Sequence, residues 1–418
     1  MSQRDTAVPG RQRAFWTYYL ASTASDIGSA VRALALPLVA VLVLDATPLE
    51  VALVTGAGFA AWLLIGLPAG DLVARLPLRG AQVATDLLRA LCILSLPAAW
   101  AFDVLSVAQV ALVAFLIGLA DVVYDVANST FMPAVVPRED LLRRNTLMTG
   151  TQAVTTLGGP SFGGVLVQLA GAVPALLIDA VSYIVSALLL RTLPERPPAK
   201  QHTEGEGMGK RIAAGWTYVV SHPVMAPFMW ASAAVNFAAG AQLTLYPILL
   251  ARSLDVPPAL IGVLLAGEGA GVLIASTVAT RIVDRLGTSR SSLVGGVGVV
   301  VGTVVVAAAV QWPPHDLVFY GGFLLGNALC GGSAVFVAVN SRTFVQSTCP
   351  AEFLSRVTAT MRFVTWGVIP AGGMLAALLV TRLGTTETLW CVALAAVAVP
   401  VILARGGIGR TRDLAEAQ

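Results

Sequence analysis

Apolar residues in this chain gather into runs of about twenty positions, separated by short polar breaks. A helix needs ~20 such residues to cross a bilayer. Runs of about that length or more occupy 15–44, 49–70, 81–101, 104–127, 146–169, 173–190, 224–250, 258–280, 291–310, 316–340, 354–380 and 388–404. The pattern predicts an all-α membrane protein with twelve transmembrane helices. The longest polar interruption, 191–223, divides them six and six, giving an amino-terminal bundle (1–190), a linker and a carboxy-terminal bundle (224–418). The linker is rich in Pro, Glu and Gly up to Gly209, and then Lys210–Val220 predicts a short basic helix lying at the membrane surface.

An even number of crossings puts both termini on one side, and the basic residues say which. Loops and tails on the terminal side hold 21 Lys and Arg, the opposite loops only Arg252 and Arg382. By the positive-inside rule both termini are cytoplasmic. The remaining three, Arg32, Arg89 and Arg362, fall inside spans.

The two halves repeat one another. At a shift of 210 residues Pro37 falls on Pro247, Asp45 on Asp255, Pro48 on Pro258, Arg75-Leu76 on Arg285-Leu286, and Pro160-x-x-Gly163 on Pro370-x-x-Gly373. Each half has an even number of spans, so the repeats run parallel, related by an axis along the membrane normal.

Composition narrows the function. Hydrophobic residues make up 56% of the 418 and charged residues 12%, about half the charge of a soluble domain. With 26 basic against 23 acidic residues, nothing favours nucleic acid as a partner. The four cysteines are scattered, with no C-x-x-C pair, so neither a disulfide framework nor a metal site is suggested. There is no P-loop for ATP.

Within the fifth span lies Leu157-Gly-Gly-Pro-Ser-Phe-Gly-Gly164, which a soluble helix would not tolerate, since Pro costs ~3 kcal/mol and each Gly ~1 kcal/mol. In a membrane, neighbouring helices re-satisfy the backbone freed at Pro160, and Gly159 and Gly163 offer a flat face for close packing. Two readings stand: a tight helix crossing, or a kinked hinge between halves that move. The conformational element is Gly159, Pro160, Gly163 and Gly164, with Pro370 and Gly373 as its second-half copy.

Several further segments carry a family resemblance: Ala35-Leu36-Pro37-Leu38, Gly66-Leu-Pro68-Ala-Gly70 running into Arg75 and Arg79, Asp86-Leu-Leu-Arg89, Asp125-x-Ala127, Gly159-Pro160-x-x-Gly163-Gly164 and Asp179-Ala-x-Ser182. With them the chain resembles a major facilitator superfamily transporter, of the branch with the bacterial macrolide efflux and enterobactin export proteins. The resemblance implies that the Gly-Pro element is an antiporter signature. It also implies a loop latch between the second and third spans, here Gly70, Asp71, Arg75 and Arg79, with Asp284 and Arg285 as the second-half copy. The family's latch aspartate falls on Ala74, with Asp71 three residues earlier, a departure that leaves the first-half latch an open question.

Charges inside spans are expensive and mark aqueous cavities or partners. A carboxyl withdrawn from water favours its protonated form, which a proton-coupled carrier needs. Asp26, Glu268 and Asp121 are the proton-coupling candidates. Asp86, Arg89, Asp125 and Asp179 read as structural, and Arg32 needs an acid that Asp179 can supply. The resemblance places spans one, four, seven and ten around a central cavity, which implies substrate contacts from Asn236, Gln242, Tyr246, Asn327, Phe237 and Phe336, joined by Arg362 in the eleventh span. Few polar groups among apolar ones suit amphiphilic substrates.

These readings converge on a monomeric, multi-pass exporter of hydrophobic or amphiphilic small molecules (drug, antibiotic or siderophore) in a bacterial cytoplasmic membrane. It would be driven by proton antiport, with the proton gradient as energy source and no cofactor. The alternatives are an uncoupled facilitator or importer of a small metabolite, and a non-transporting receptor on the same fold.

Overall fold

The computed structural model describes residues 9–73, 76–135, 141–194, 208–406 and 408. Its first half comprises α1 (Pro9–Leu38), α2 (Pro48–Ile65), α3 (Leu78–Ala101), α4 (Val107–Val135), α5 (Leu141–Ala170) and α6 (Ala172–Arg191). A connecting helix, Met208–Ser221, leads into α7 (Met225–Pro247). The 52-residue run Pro258–Ala309 is broken at Gly287, whose φ of 83° a side chain would strain, so it turns from α8 (258–286) into α9 (288–309). Asn340 fastens that turn, donating to Ser291 Oγ and Ser292 Oγ at 2.9 Å and to the Thr288 carbonyl at 3.1 Å. Then follow α10 (Leu317–Thr348), α11 (Ala351–Leu383) and α12 (Thr385–Ala396), which Ala398–Arg405 continues.

Ten of the described helices are long and apolar enough to cross a membrane, with the 52-residue run counted once. The turn at Gly287 divides that run into two crossings. α5 is a further helix of 30 residues, its apolar content diluted by its glycines and proline. The twelve predicted segments are therefore all helical. Helix α5 continues without a break through Pro160, and the surface helix predicted at Lys210–Val220 is the connecting helix.

The repeat is written into the backbone. Pro37 and Pro247 are each followed by a π-helical turn, Val39–Val43 and Ile248–Ser253. A proline has no N–H to donate and its ring crowds the carbonyl four residues back, which favours a wider turn there. Asp45 (φ 47°) and Asp255 (φ 51°) then reverse the chain, and Pro48 and Pro258 open the next helices. In the first half Thr47 and Glu50 add a capping box that satisfies the free N–H groups at the start of α2.

Buried apolar residues show how the halves meet. At the end of the molecule away from the termini one continuous core joins both halves, from Val31, Leu38 and Leu176 to Leu245, Ile261 and Leu389. At the terminal end each half has its own core: Phe15, Tyr18, Phe131 and Leu190 in the first, Phe228, Phe344, Val357 and Leu403 in the second. The halves are thus fused at one end and parted at the other.

Candidate functional site

At the fused end the seal is made by helix pairs α2–α11 and α5–α8. Gly164 lies so close to α8 that an added Cβ would stand 2.4 Å from the Pro258 carbonyl and 3.1 Å from Gly262 Cα. Gly262 in turn faces the Pro160 carbonyl. Gly159 and Gly163 turn the other way, against Ala30 and Val31 of α1. The second-half copy repeats this: Pro370 packs on Gly56 of α2, and Gly372 and Gly373 on Phe237 and Thr244 of α7. Each glycine-proline element is therefore a two-sided wedge, one face on its own half and the other on the opposite half. The Gly159/Gly163 face belongs to a tight crossing within one half, and the face across the halves belongs to Gly164.

Polar bonds reinforce the seal. Arg252 reaches across the halves to the carbonyls of Ala46 (2.8 Å) and Val41 (3.0 Å), oxygens near the widened turn that follows Pro37. Thr55 and Thr244 share a hydrogen bond of 3.1 Å, and Gln168 accepts from the Ala259 N–H at 3.2 Å.

Toward the parted end, helices α7, α10 and α11 line a cavity of about 630 Å³. Its wall carries Asn236, Arg342, Gln346, Thr365 and Arg362 among apolar groups such as Met361 and Trp366. Asn236 donates to the Thr365 carbonyl at 2.7 Å. Arg362 lies 5.9 Å from the centre of the Trp62 ring, and Trp62 and Trp366 pack at 4.9 Å.

Of the expected substrate contacts only Asn236 and Arg362 line this cavity. Tyr246 and Asn327 are buried and bonded to each other at 3.1 Å, with Asn327 also donating to the Leu264 carbonyl. Phe336 packs its Cβ against Gly295 of α9. Gln242 and Phe237 are half-buried on α7 and are not among the lining residues. Depth along a span was legible; the face each residue presents was not, because these helices are apolar on every side. Trp366 was missed for that reason, and Arg342 and Gln346 because the predicted tenth span stops at 340 whereas α10 runs on to Thr348.

The first half holds a charge network. Arg32 pairs with Asp179 at 2.9 Å and stands 3.7 Å from Asp121. Arg89 pairs with Asp121 at 2.9 Å and Asp86 at 3.1 Å, with its guanidinium 4.4 Å from the Tyr124 ring centre. Asp86 and Asp179 are fully buried. The acid that Arg32 needs is thus Asp179, and Asp121, an expected proton carrier, sits between two arginines as an ion-pair partner. Asp26 and Glu268 make no ion pair among the described residues. Asp26 is half-buried and Glu268 exposed, its Cγ against Gly331 of α10. Asp125 is exposed and lies within electrostatic reach of Arg362 in the other half.

In the latch region Arg79 donates to the Leu193 carbonyl at 2.8 Å, tying the start of α3 to the end of α6. Gly70 and Asp71 fall in a short helix, Ala69–Val73, and Asp284 and Arg285 just before the Gly287 turn. Ala74 and Arg75 lie outside the described residues.

Comparison with known proteins agrees with this architecture. A family model described as transmembrane secretion effector, of major facilitator type, matches residues 5–416. The uncharacterized MFS-type transporter YvqJ of Bacillus subtilis (strain 168) is 23% identical over 259 residues, 60% of this chain. That match spans 59% of the relative's length. The nucleoside transporter NupG, in a mutant form, superposes with a TM-score of 0.80 at 12% identity over 94% of this chain and 99% of its own. A bacterial homologue of the iron transporter ferroportin, in its inward-facing state, gives 0.70 at 18% identity over 94% and 98%. The halves sealed at one end, the repeat of six helices in each and the family match over nearly the whole chain identify it as a non-enzymatic membrane transporter of the major facilitator superfamily, in the family of transmembrane secretion effectors.

Proposed function

We propose that this transporter exports hydrophobic or amphiphilic small molecules by proton antiport, through alternating access between two six-helix bundles. The observation that carries this reading is Asp26: a half-buried carboxylate on α1, without an ion pair among the described residues, whose repeat mate Asn236 is a neutral wall residue of the cavity. One half then supplies a proton site and the other a substrate wall. The family's secretion description supports the outward direction. The conformation here, closed at the far end and open at the terminal end, is the one that loads cargo from the cytoplasm of a bacterial cell, with both termini on that side and the protein acting as a monomer.

The test is efflux from proteoliposomes driven by a pH gradient. Asp26→Asn keeps the shape and removes the titrating group, so gradient-driven efflux is expected to vanish while passive exchange persists. If Asp26→Asn pumps normally and Glu268→Gln does not, the proton site belongs to the second half. If both pump normally, the uncoupled facilitator takes the lead. Orientation is checked separately: a cysteine in the 195–207 linker should react with an impermeant reagent only after the membrane is opened, and one near Asp103 should react in intact cells.

A further inference from the structure

We infer that the cavity selects amphiphiles with an anionic head group, a carboxylate or an equivalent oxyanion, held by Arg362 and drawn in by Arg342; this rests on the transport reading above and sharpens its substrate class. Both arginines line the 630 Å³ cavity, and no carboxylate is among its lining residues. Neither forms an ion pair among the described residues, although Arg32 and Arg89 in the first half are each paired with acids. An unpaired guanidinium inside a membrane protein is expensive and marks a substrate or ion pathway. Its planar fork of N–H donors matches a carboxylate in bidentate fashion.

The two are placed at different depths. Arg342 lies six residues before the end of α10 at Thr348, or ~9 Å in from the terminal end at 1.5 Å per residue. Arg362 lies eleven residues into α11 from Ala351, or ~17 Å by the same rise. An anion entering from the parted end therefore meets Arg342 first and Arg362 second. Beside Arg362 the Trp366 ring is exposed, and Met361, Val235 and Val337 complete an apolar wall. Charge at one point and an aromatic shelf next to it describe an aryl or alkyl chain ending in an anion. Asp125, on α4 of the first half, is a carboxylate within electrostatic reach of Arg362, without an ion pair to it. An incoming anion must compete with that charge for the arginine.

Three matched probes test this in detergent-purified full-length protein: 4-(biphenyl-4-yl)butyrate, the corresponding butylamine and the corresponding butanol, which share a body and differ in the head group. Thermal shift titrations should show stabilisation by the acid alone. Arg362→Gln should weaken the acid's apparent affinity by roughly tenfold or more, as loss of a charge-assisted bidentate contact does, and Arg362→Lys should recover part of it. Asp125→Asn should tighten it, a gain that a misfolded variant does not give. Stabilisation by the amine or alcohol equal to that by the acid, an unchanged titration in Arg362→Gln, or no shift with the acid would each overturn the assignment. If the acid binds through Arg362 but is not moved by a pH gradient in proteoliposomes, the antiport reading fails and the anion site stands.

Discussion

Removing the Arg252 side chain should unlock the fused end. In the wild type its guanidinium donates to the Ala46 and Val41 carbonyls, each across the halves. A hydrogen bond to a charged group contributes about 1.5–3 kcal/mol net when shielded. The side chain is 33% exposed, so water competes, and each bond keeps about 1 kcal/mol, below that range. Asp45, 3.9 Å away and 97% exposed, adds almost nothing, as surface ion pairs do. Two weakened bonds give about 2 kcal/mol in favour of the sealed state, or roughly thirtyfold in population. The assay uses a cysteine at Thr55 in a background lacking Cys92, Cys330, Cys349 and Cys391, labelled from outside with an impermeant maleimide. Arg252→Ala should label about thirtyfold faster than its parent, and Arg252→Lys should fall between. An unchanged rate in a folded Arg252→Ala protein would show that apolar packing alone holds the seal.

Two more outcomes follow from the geometry. Gly164→Leu should keep the fused end from closing, because its Cβ would press on the Pro258 carbonyl, whereas Gly163→Leu should lower thermal stability by crowding Val31 within one half; equal effects on labelling from both would undo the distinction. His222, just ahead of α7 and outside the spans, accepts from the Val224 and Met225 N–H groups through Nδ1, and burial holds its pKa below the usual histidine value. The unfolded chain therefore binds this proton first as pH falls. The cap's contribution, about 1 kcal/mol, is present above the unfolded pKa and lost as pH drops through the folded one. Melting temperatures at pH 7.5 and 5 should differ more in the wild type than in His222→Ala.

How far the sequence carried depended on what kind of signal each feature left. The segments were legible because length and apolar content decide a crossing. The repeat was legible because Pro37 and Pro247, Asp45 and Asp255 mark backbone events that only a few residue types allow. The partner of Arg32 was found from depth alone. The wall of the cavity was not: Tyr246 and Phe336 have the right depth on the right helices, yet face α10 and α9 rather than the open space. In a soluble helix the polar stripe reveals which side is wet, and here lipid and protein core are equally apolar. Likewise Gly163 and Gly164 are neighbours in the sequence and indistinguishable by type, but one meets its own half and the other the opposite half.

The continuous core that joins the halves at the fused end gives the transport cycle a thermal signature. If transport runs by the alternating access proposed above, Leu245, Ile261 and their first-half neighbours must part toward an aqueous pathway when that end opens, so the step exposes apolar surface to water. Such exposure raises heat capacity. The enthalpy and entropy of opening must then change with temperature, and a plot of the logarithm of turnover against reciprocal temperature should curve wherever opening limits the rate. Cooling weakens the hydrophobic term, so the sealed state loses ground to the open one in the cold.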